Sequence, residues 1–189
     1  AVTEKGKAPV MQTVVNPRDA VRWALYYPPV IFGSDANASI NQAAQLLAVG
    51  RVDEANALMQ QTPQNSSGLS LQSIIAVVQN NKEKARNLAD KAVESDPQSA
   101  TPRIALSYAQ QANFDLAGAR ESLEKAVELE PNNALALARL AELYSSFGEL
   151  NKALATARKS VAVEPNLSRT QTVLGFAYLT QINTAEARS

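Results

Sequence analysis

The sequence predicts an all-α protein, a right-handed α-solenoid of antiparallel helix hairpins with a short aromatic helix near its N-terminal end. The first observation behind this prediction is a regular spacing: Pro97, Pro131 and Pro165 follow one another at equal intervals, which we call the repeat period. The second is that apolar residues recur at helical spacing between these prolines. Two amphipathic helices per period cannot bury their apolar faces alone, so consecutive hairpins must stack on one another.

The clearest repeat unit covers residues 134–167. Apolar side chains form one helical stripe in its first half and another in its second half, with Gly148 at the turn between them. The two stripes consist of Leu137, Leu140, Ala141 and Tyr144, and of Ala153, Ala157 and Val161. Proline ends the second helix because it lacks the amide donor and clashes with the preceding turn.

These positions resemble the pattern of the tetratricopeptide repeat (TPR) family, whose units are about 34 residues long. In the unit 134–167 the similarity rests on Leu140-Ala141, Tyr144, Gly148, Ala153 and Pro165. The next unit repeats it with Leu174-Gly175, Tyr178 and Ala187. The resemblance implies a stack of hairpins whose first helices line a concave binding face.

The repeat period divides most of the chain into units. Counting outward gives TPR units at 66–99, 100–133 and 134–167, followed by a truncated unit at 168–189. We expect this last unit to stop partway along a second helix. A shorter, degenerate hairpin is expected at 36–65, marked by Gly50, Ala55 and Pro63.

The N-terminal residues differ from the repeats. Residues 1–13 mix charge, glycine and proline without a period, which predicts a flexible segment. In residues 14–35, Asn16 suits an N-cap and Pro17 the first helical position, while Pro28-Pro29 ends the helix and forms a connector. This segment carries four of the ten aromatic residues of the chain: Trp23, Tyr26, Tyr27 and Phe32.

A helix this short is marginal alone in water, so we expect the aromatic segment to dock. One interpretation is a cap over the first hairpin. The other is an interaction segment that inserts into a groove of its own chain or of another copy. The stretch VNPRDAVRWALYYPPVI also resembles the connector of bacterial exported proteins that carry a FecR-like domain ahead of TPR units.

The FecR resemblance implies a location in the bacterial cell envelope, in the periplasm, with a cytoplasmic location as the alternative. The chain begins at Ala1 rather than Met, and we expect it to be a fragment of a longer protein. In that case it would be the regulatory part of an envelope signalling protein.

The composition excludes several classes of function. Histidine and cysteine are absent, which removes the usual zinc sites, thiol nucleophiles and histidine-dependent catalysis. The charge balances at 18 basic against 18 acidic residues, whereas a nucleic-acid binder needs a basic excess. No apolar stretch approaches the roughly 20 residues that span a bilayer. We therefore expect no enzyme activity, cofactor, metal, nucleic acid or membrane insertion in this segment.

The TPR resemblance identifies candidate binding residues on the first helices of the units. The predicted ligand-binding residues are Tyr108, Gln111, Arg139, Glu142, Arg169, Thr172 and Phe176. Arg139 and Arg169 would hold a carboxylate of the partner, because guanidinium groups bind carboxylates bidentately. The aromatic rings would supply flat apolar contact area.

The leading functional hypothesis is a non-enzymatic scaffold that binds a peptide or protein segment along the concave face. The alternative is self-assembly, as a homodimer, through the aromatic segment or through the uncapped C-terminal edge around Leu174 and Tyr178. Helical arrays usually end in a polar capping helix, and none is evident in the sequence of the last unit.

Overall fold

A computed structural model of the chain describes residues 37–62 and 64–186, with side chains up to residue 181. The predicted flexible segment 1–13 and the aromatic segment 14–35 lie outside these residues. The described residues form nine helices and no strand. They are α1 (Ala38–Ala48), α2 (Val52–Gln60), α3 (Ser66–Val78), α4 (Lys82–Ser95), α5 (Ala100–Ala112), α6 (Leu116–Leu129), α7 (Ala134–Ser146), α8 (Leu150–Val163) and α9 (Ser168–Glu186).

The helices pack as consecutive hairpins, which confirms the predicted all-α solenoid. α1 pairs with α2, α3 with α4, α5 with α6 and α7 with α8. We call α1, α3, α5, α7 and α9 the first helices, and α2, α4, α6 and α8 the second helices. Each second helix also contacts the first helix that follows it, and α3 packs on α5 as α7 packs on α9.

Small residues allow the two helices of a hairpin to approach closely. Ala85, Ala119 and Ala153, which stand one repeat period apart on the second helices, are completely buried. Hydroxyl groups tie the paired helices together where they meet. The Oγ of Ser73 on α3 donates to the carbonyl oxygen of Ala85 at 2.8 Å, which satisfies a polar group within an otherwise apolar contact.

Four first helices end in the same tight turn. The residue in the turn has a positive φ in each case: 81° at Gly50, 59° at Asn80, 63° at Phe114 and 74° at Gly148. The amide of the next residue donates to the carbonyl five residues earlier, as in a Schellman cap. That next residue is already the N-cap of the second helix, so each turn reverses the chain in very few residues.

α9 has no such turn. It continues as one helix from Ser168 to Glu186, whereas the sequence predicted a second helix beginning before the end of this unit. Ile182 stands one repeat period after Gly148, at the position where the other units adopt a left-handed conformation. A β-branched residue strongly disfavours that conformation, which accounts for the uninterrupted helix.

The apolar core is divided into two clusters of buried side chains. The larger runs from α1 to α7 and includes Leu71, Ile74 and Ile104. The smaller joins α7, α8 and α9 through Ala138, Leu154 and other small residues. α7 contributes to both clusters, so it is the only described helix shared by the two parts of the core.

Candidate functional site

Five of the seven predicted ligand-binding residues meet in one cluster, which we call the polar joint. Its members come from three first helices: Tyr108 and Gln111 from α5, Arg139 and Glu142 from α7, and Arg169 from α9. On α5 and on α7 the two residues are three positions apart, which places them on one face of the helix.

Arg139 is the centre of the polar joint. Its guanidinium lies over the ring of Tyr108, with Cζ 3.9 Å from the ring centroid. Its Nη2 donates to Oε1 of Gln111 at 2.6 Å, and its Nη1 donates to Oε2 of Glu142 at 2.9 Å. Only 1% of Arg139 and 2% of Tyr108 is exposed, so the cation and the ring are removed from water together.

Arg169 binds the same carboxylate from α9. Its Nη2 donates to Oε1 of Glu142 at 2.9 Å and to Oε2 at 3.0 Å. Burial lowers the pKa of the Arg169 guanidinium, but the neighbouring Tyr108 and the ion pair with Glu142 outweigh burial, so the pKa lies above its ordinary value. A guanidinium stays protonated in proteins, so Arg169 is a charged partner of Glu142.

Two guanidinium groups converge on one carboxylate in the polar joint. Arg139 and Arg169 both bind Glu142, and charge interactions are stronger where water is excluded. Two further buried groups, the Tyr108 hydroxyl and Nε of Arg139, have no hydrogen-bond partner among the described residues.

The polar joint also separates two helices. α3 packs on α5 and α7 packs on α9, but α5 and α7 approach each other much less closely. The stacked side chains of Tyr108 and Arg139 fill the space between them. The structure thus places Arg139 in the interior rather than in an open groove, and its two terminal nitrogens already bind Gln111 and Glu142.

The other two predicted residues lie apart from the polar joint. Thr172 is exposed on α9, where its hydroxyl donates to the carbonyl of Ser168 at 2.9 Å. The Phe176 side chain is 57% exposed. The predicted interaction residues Trp23, Tyr26, Tyr27 and Phe32 lie outside the described residues.

Sequence reasoning identified the members of the polar joint but missed the internal partner of the arginines. It assigned them a carboxylate of the bound partner, whereas both bind Glu142 of their own chain. The spacing of three residues between Arg139 and Glu142 was the available signal, because such pairs are neighbours on a helix.

Residues 110–175 match the family model described as tetratricopeptide repeat. The described helices have the tetratricopeptide-repeat fold. This match covers the last part of α5 through the first part of α9, which includes most of the polar joint. No match was found among curated proteins.

Solved structures share the TPR fold. TTC0263, a TPR protein of Thermus thermophilus, is 24% identical, with a TM-score of 0.68 over 77% of this chain and 82% of that one. The first TPR of Spaghetti (RPAP3), bound to the HSP90 peptide SRMEEVD, is 17% identical, with a TM-score of 0.57 over 64% of this chain and 96% of that one. YrrB, a TPR protein with an unusual peptide-binding site, is 20% identical, with a TM-score of 0.52 over 79% of each chain.

Two further features concern membranes and metals. No helix in the described part of the chain is long and apolar enough to cross a membrane. Residues 37–62 and 64–186 contain no cluster of three or more acidic side chains arranged to hold a metal ion. TPR units are typically protein-interaction modules.

Proposed function

We propose that this chain is a non-enzymatic TPR scaffold that binds an extended peptide or protein segment along its first helices, and that the polar joint selects a segment carrying a carboxylate. The observation that carries this proposal is the convergence of two guanidinium groups, those of Arg139 and Arg169, on the carboxylate of Glu142. The geometry that holds one carboxylate would suit a second one from the partner beside it.

Access to the polar joint is through Arg169 and Glu142. Their side chains are 13% and 28% exposed, whereas Arg139 is enclosed. A guanidinium has five N–H donors and can bind two carboxylates at once. The partner carboxylate would therefore bind Arg169 beside Glu142, while Arg139 holds Glu142 in position from within.

The solved neighbours support a peptide as the ligand. The TPR of Spaghetti is bound to an HSP90 peptide with two glutamates and one aspartate in its sequence, and YrrB is described by its peptide-binding site. At these identities the likeness establishes the fold, so peptide binding by this chain is inferred from the shared fold together with the guanidinium groups of the polar joint.

The proposal is tested with an array of acidic peptides, each paired with a copy in which Asp and Glu are replaced by Asn and Gln. We expect binding to the acidic member of a pair, weakened by added salt because partly exposed charges are screened. Arg169→Met keeps the length of the side chain and removes the charge. We expect its affinity for the acidic peptide to fall about tenfold or more, because that is the contribution of one charge-assisted hydrogen bond. Fluorescence anisotropy measures the affinity.

Arg158→Met is the matched control, because Arg158 is an exposed arginine on α8 away from the polar joint. It should bind the same peptides with unchanged affinity. Equal binding of acidic and amide peptides, or an equal loss in both variants, would refute the role of the polar joint. Absence of binding to every peptide would refute the scaffold proposal itself.

A further inference from the structure

α9 presents a face that the described structure leaves uncovered. Its residues Thr170, Val173 and Ala177 are buried against α7 and α8. The opposite face carries Thr172, Gly175, Phe176 and Leu179, all exposed. Phe176 and Leu179 are 57% and 61% exposed, which is unusual for large apolar side chains on a helix of a packed array.

Gly175 marks the centre of this face. The equivalent residues of the earlier units, each a whole number of repeat periods before it, are Ser73, Ser107 and Ala141, and all three are completely buried. A Cβ added to Gly175 would meet no atom within 4 Å. Glycine inside a helix costs roughly 0.5–1 kcal/mol relative to alanine, and no contact within the described chain explains it.

The exposed residues form a self-complementary pattern. Positions 172, 175, 176 and 179 have the spacing i, i+3, i+4, i+7 of a single helical stripe. The stripe is symmetric about its midpoint between Gly175 and Phe176. Suppose that two copies of α9 cross antiparallel about a two-fold axis at that midpoint. Thr172 of each copy then faces Leu179 of the other, and Gly175 of each copy faces Phe176 of the other.

Size and charge both suit such a contact. The Phe176 ring of each copy would enter the open space over Gly175 of the other, a large residue against the smallest one. A charge near the two-fold axis would lie close to the same charge of the other copy, and the two would repel. The sequence of α9 has no charged residue between Arg169 and Glu186, whereas the second helices α4, α6 and α8 carry several each.

We propose that α9 packs antiparallel on α9 of a second copy of this chain, through Thr172, Gly175, Phe176 and Leu179. In the earlier units the helices that follow cover the equivalent positions: Ser73 contacts α4 at Ala85, and Tyr108 contacts α7 through Arg139. The contact between copies removes Thr172 and Phe176 from the peptide-binding residues and gives them a role in dimerisation. The inference goes beyond the peptide proposal and has a separate readout. Arg169 lies on the same side of α9 as Phe176, one turn before Thr172, but its ion pair with Glu142 is made within one copy.

The first test is the molar mass of the 189-residue chain by sedimentation equilibrium over a range of concentrations. We expect a reversible dimer, and a monomer for Phe176→Glu, which places a charge at the two-fold axis. Gly175→Leu fills the space for the ring without adding charge and should also give a monomer. Phe147→Glu, the same change at an exposed phenylalanine beside Arg120 on the α6 side, should remain dimeric. Circular dichroism checks that each variant keeps its helices.

The second test uses the absence of cysteine from the chain. Thr172→Cys and Leu179→Cys are made as separate proteins, mixed and oxidised. In the antiparallel contact they face each other, so the mixed disulfide should form much faster than either homodimer. Two copies of position 172 would be displaced by seven residues, about 10 Å along the helix, which exceeds the Cα separation that a disulfide allows.

Three results would overturn the proposal. The first is a monomer at all concentrations. The second is a dimer that persists in both Phe176→Glu and Gly175→Leu but is lost when residues 1–33 are removed, which would assign self-assembly to the aromatic segment. The third is equal disulfide formation in mixed and unmixed samples. None of these results affects the peptide-array experiment, so the two proposals fail separately.

Discussion

The helices α7 and α9 occupy the same place in consecutive repeats but have very different surroundings. Leu140 and Leu174 are equivalent, as are Ala141 and Gly175. In α7 almost every residue from Ala134 to Leu143 is buried, since α8, α6 and α9 all pack against it. In α9 only one side is buried. The burial of a first helix therefore depends on the helices that follow it, as much as on its own residues.

The largest effect predicted from this comparison concerns the equivalent leucines. Leu140 is 4% exposed in the larger core, whereas Leu174 is only partly buried beside the smaller one. Leu140→Ala removes buried area and leaves a cavity, so we expect a loss of about 3 kcal/mol in the free energy of unfolding. Leu174→Ala should cost about 1 kcal/mol, because less apolar area is lost. Urea denaturation measures both values, and equal losses would contradict the comparison.

A smaller effect is expected at the turn that distinguishes the two helices. Gly148→Ile places at the end of α7 the residue type that stands at the equivalent position of α9. No atom lies within 4 Å of a Cβ at Gly148, so the cost comes from its φ of +74° rather than from a clash. We expect a loss of about 1–3 kcal/mol in the free energy of unfolding.

The control at this turn is Gly148→Asn, because Asn80 already adopts a positive φ at the equivalent turn after α3. Asparagine tolerates the left-handed conformation better than other residues with a side chain. Gly148→Asn should therefore lower the free energy of unfolding clearly less than Gly148→Ile does. Thermal unfolding followed by circular dichroism distinguishes the two. If both variants lose the same stability, the conformation of this turn is not what separates α7 from α9.

The smallest effect is a gain in stability at Gly175. Gly175→Ala adds a methyl group in open space and restricts the unfolded chain, so the free energy of unfolding should rise by about 0.5–1 kcal/mol. The measurement is made in the Phe176→Glu background, where no second copy competes for the same space. Loss of stability in that background would mean that a part of the chain already packs on Gly175.

Much of the fold could be predicted because its signals are local and periodic. The equally spaced prolines and the turn glycine Gly148 define the hairpins, and the structure confirms them as an all-α solenoid. The left-handed turn at Phe114 could not be predicted from its own residue type, since phenylalanine has no preference for that conformation. The period alone indicated it, because Phe114 stands one repeat period before Gly148.

The candidate site was less predictable, because it depends on the spacing between helices. Resemblance to the TPR pattern identified Tyr108, Arg139 and Arg169 as residues of the inner face. Their burial follows from the separation of α5 and α7, which no single repeat determines. Ile182 indicates that α9 continues without a turn. That prediction requires knowing that this position adopts a left-handed conformation in the other units, which only the structure shows.

The division of the core into two clusters has a consequence for how the array opens. The larger cluster reaches from α1 to α7, and the smaller one joins α7 to α8 and α9. Local unfolding in proteins follows contiguous cooperative units of unequal stability. We therefore expect α8 and α9 to detach together while α1 to α7 remain folded. Hydrogen exchange should then show faster exchange of amide protons in these two helices than in α3 and α5.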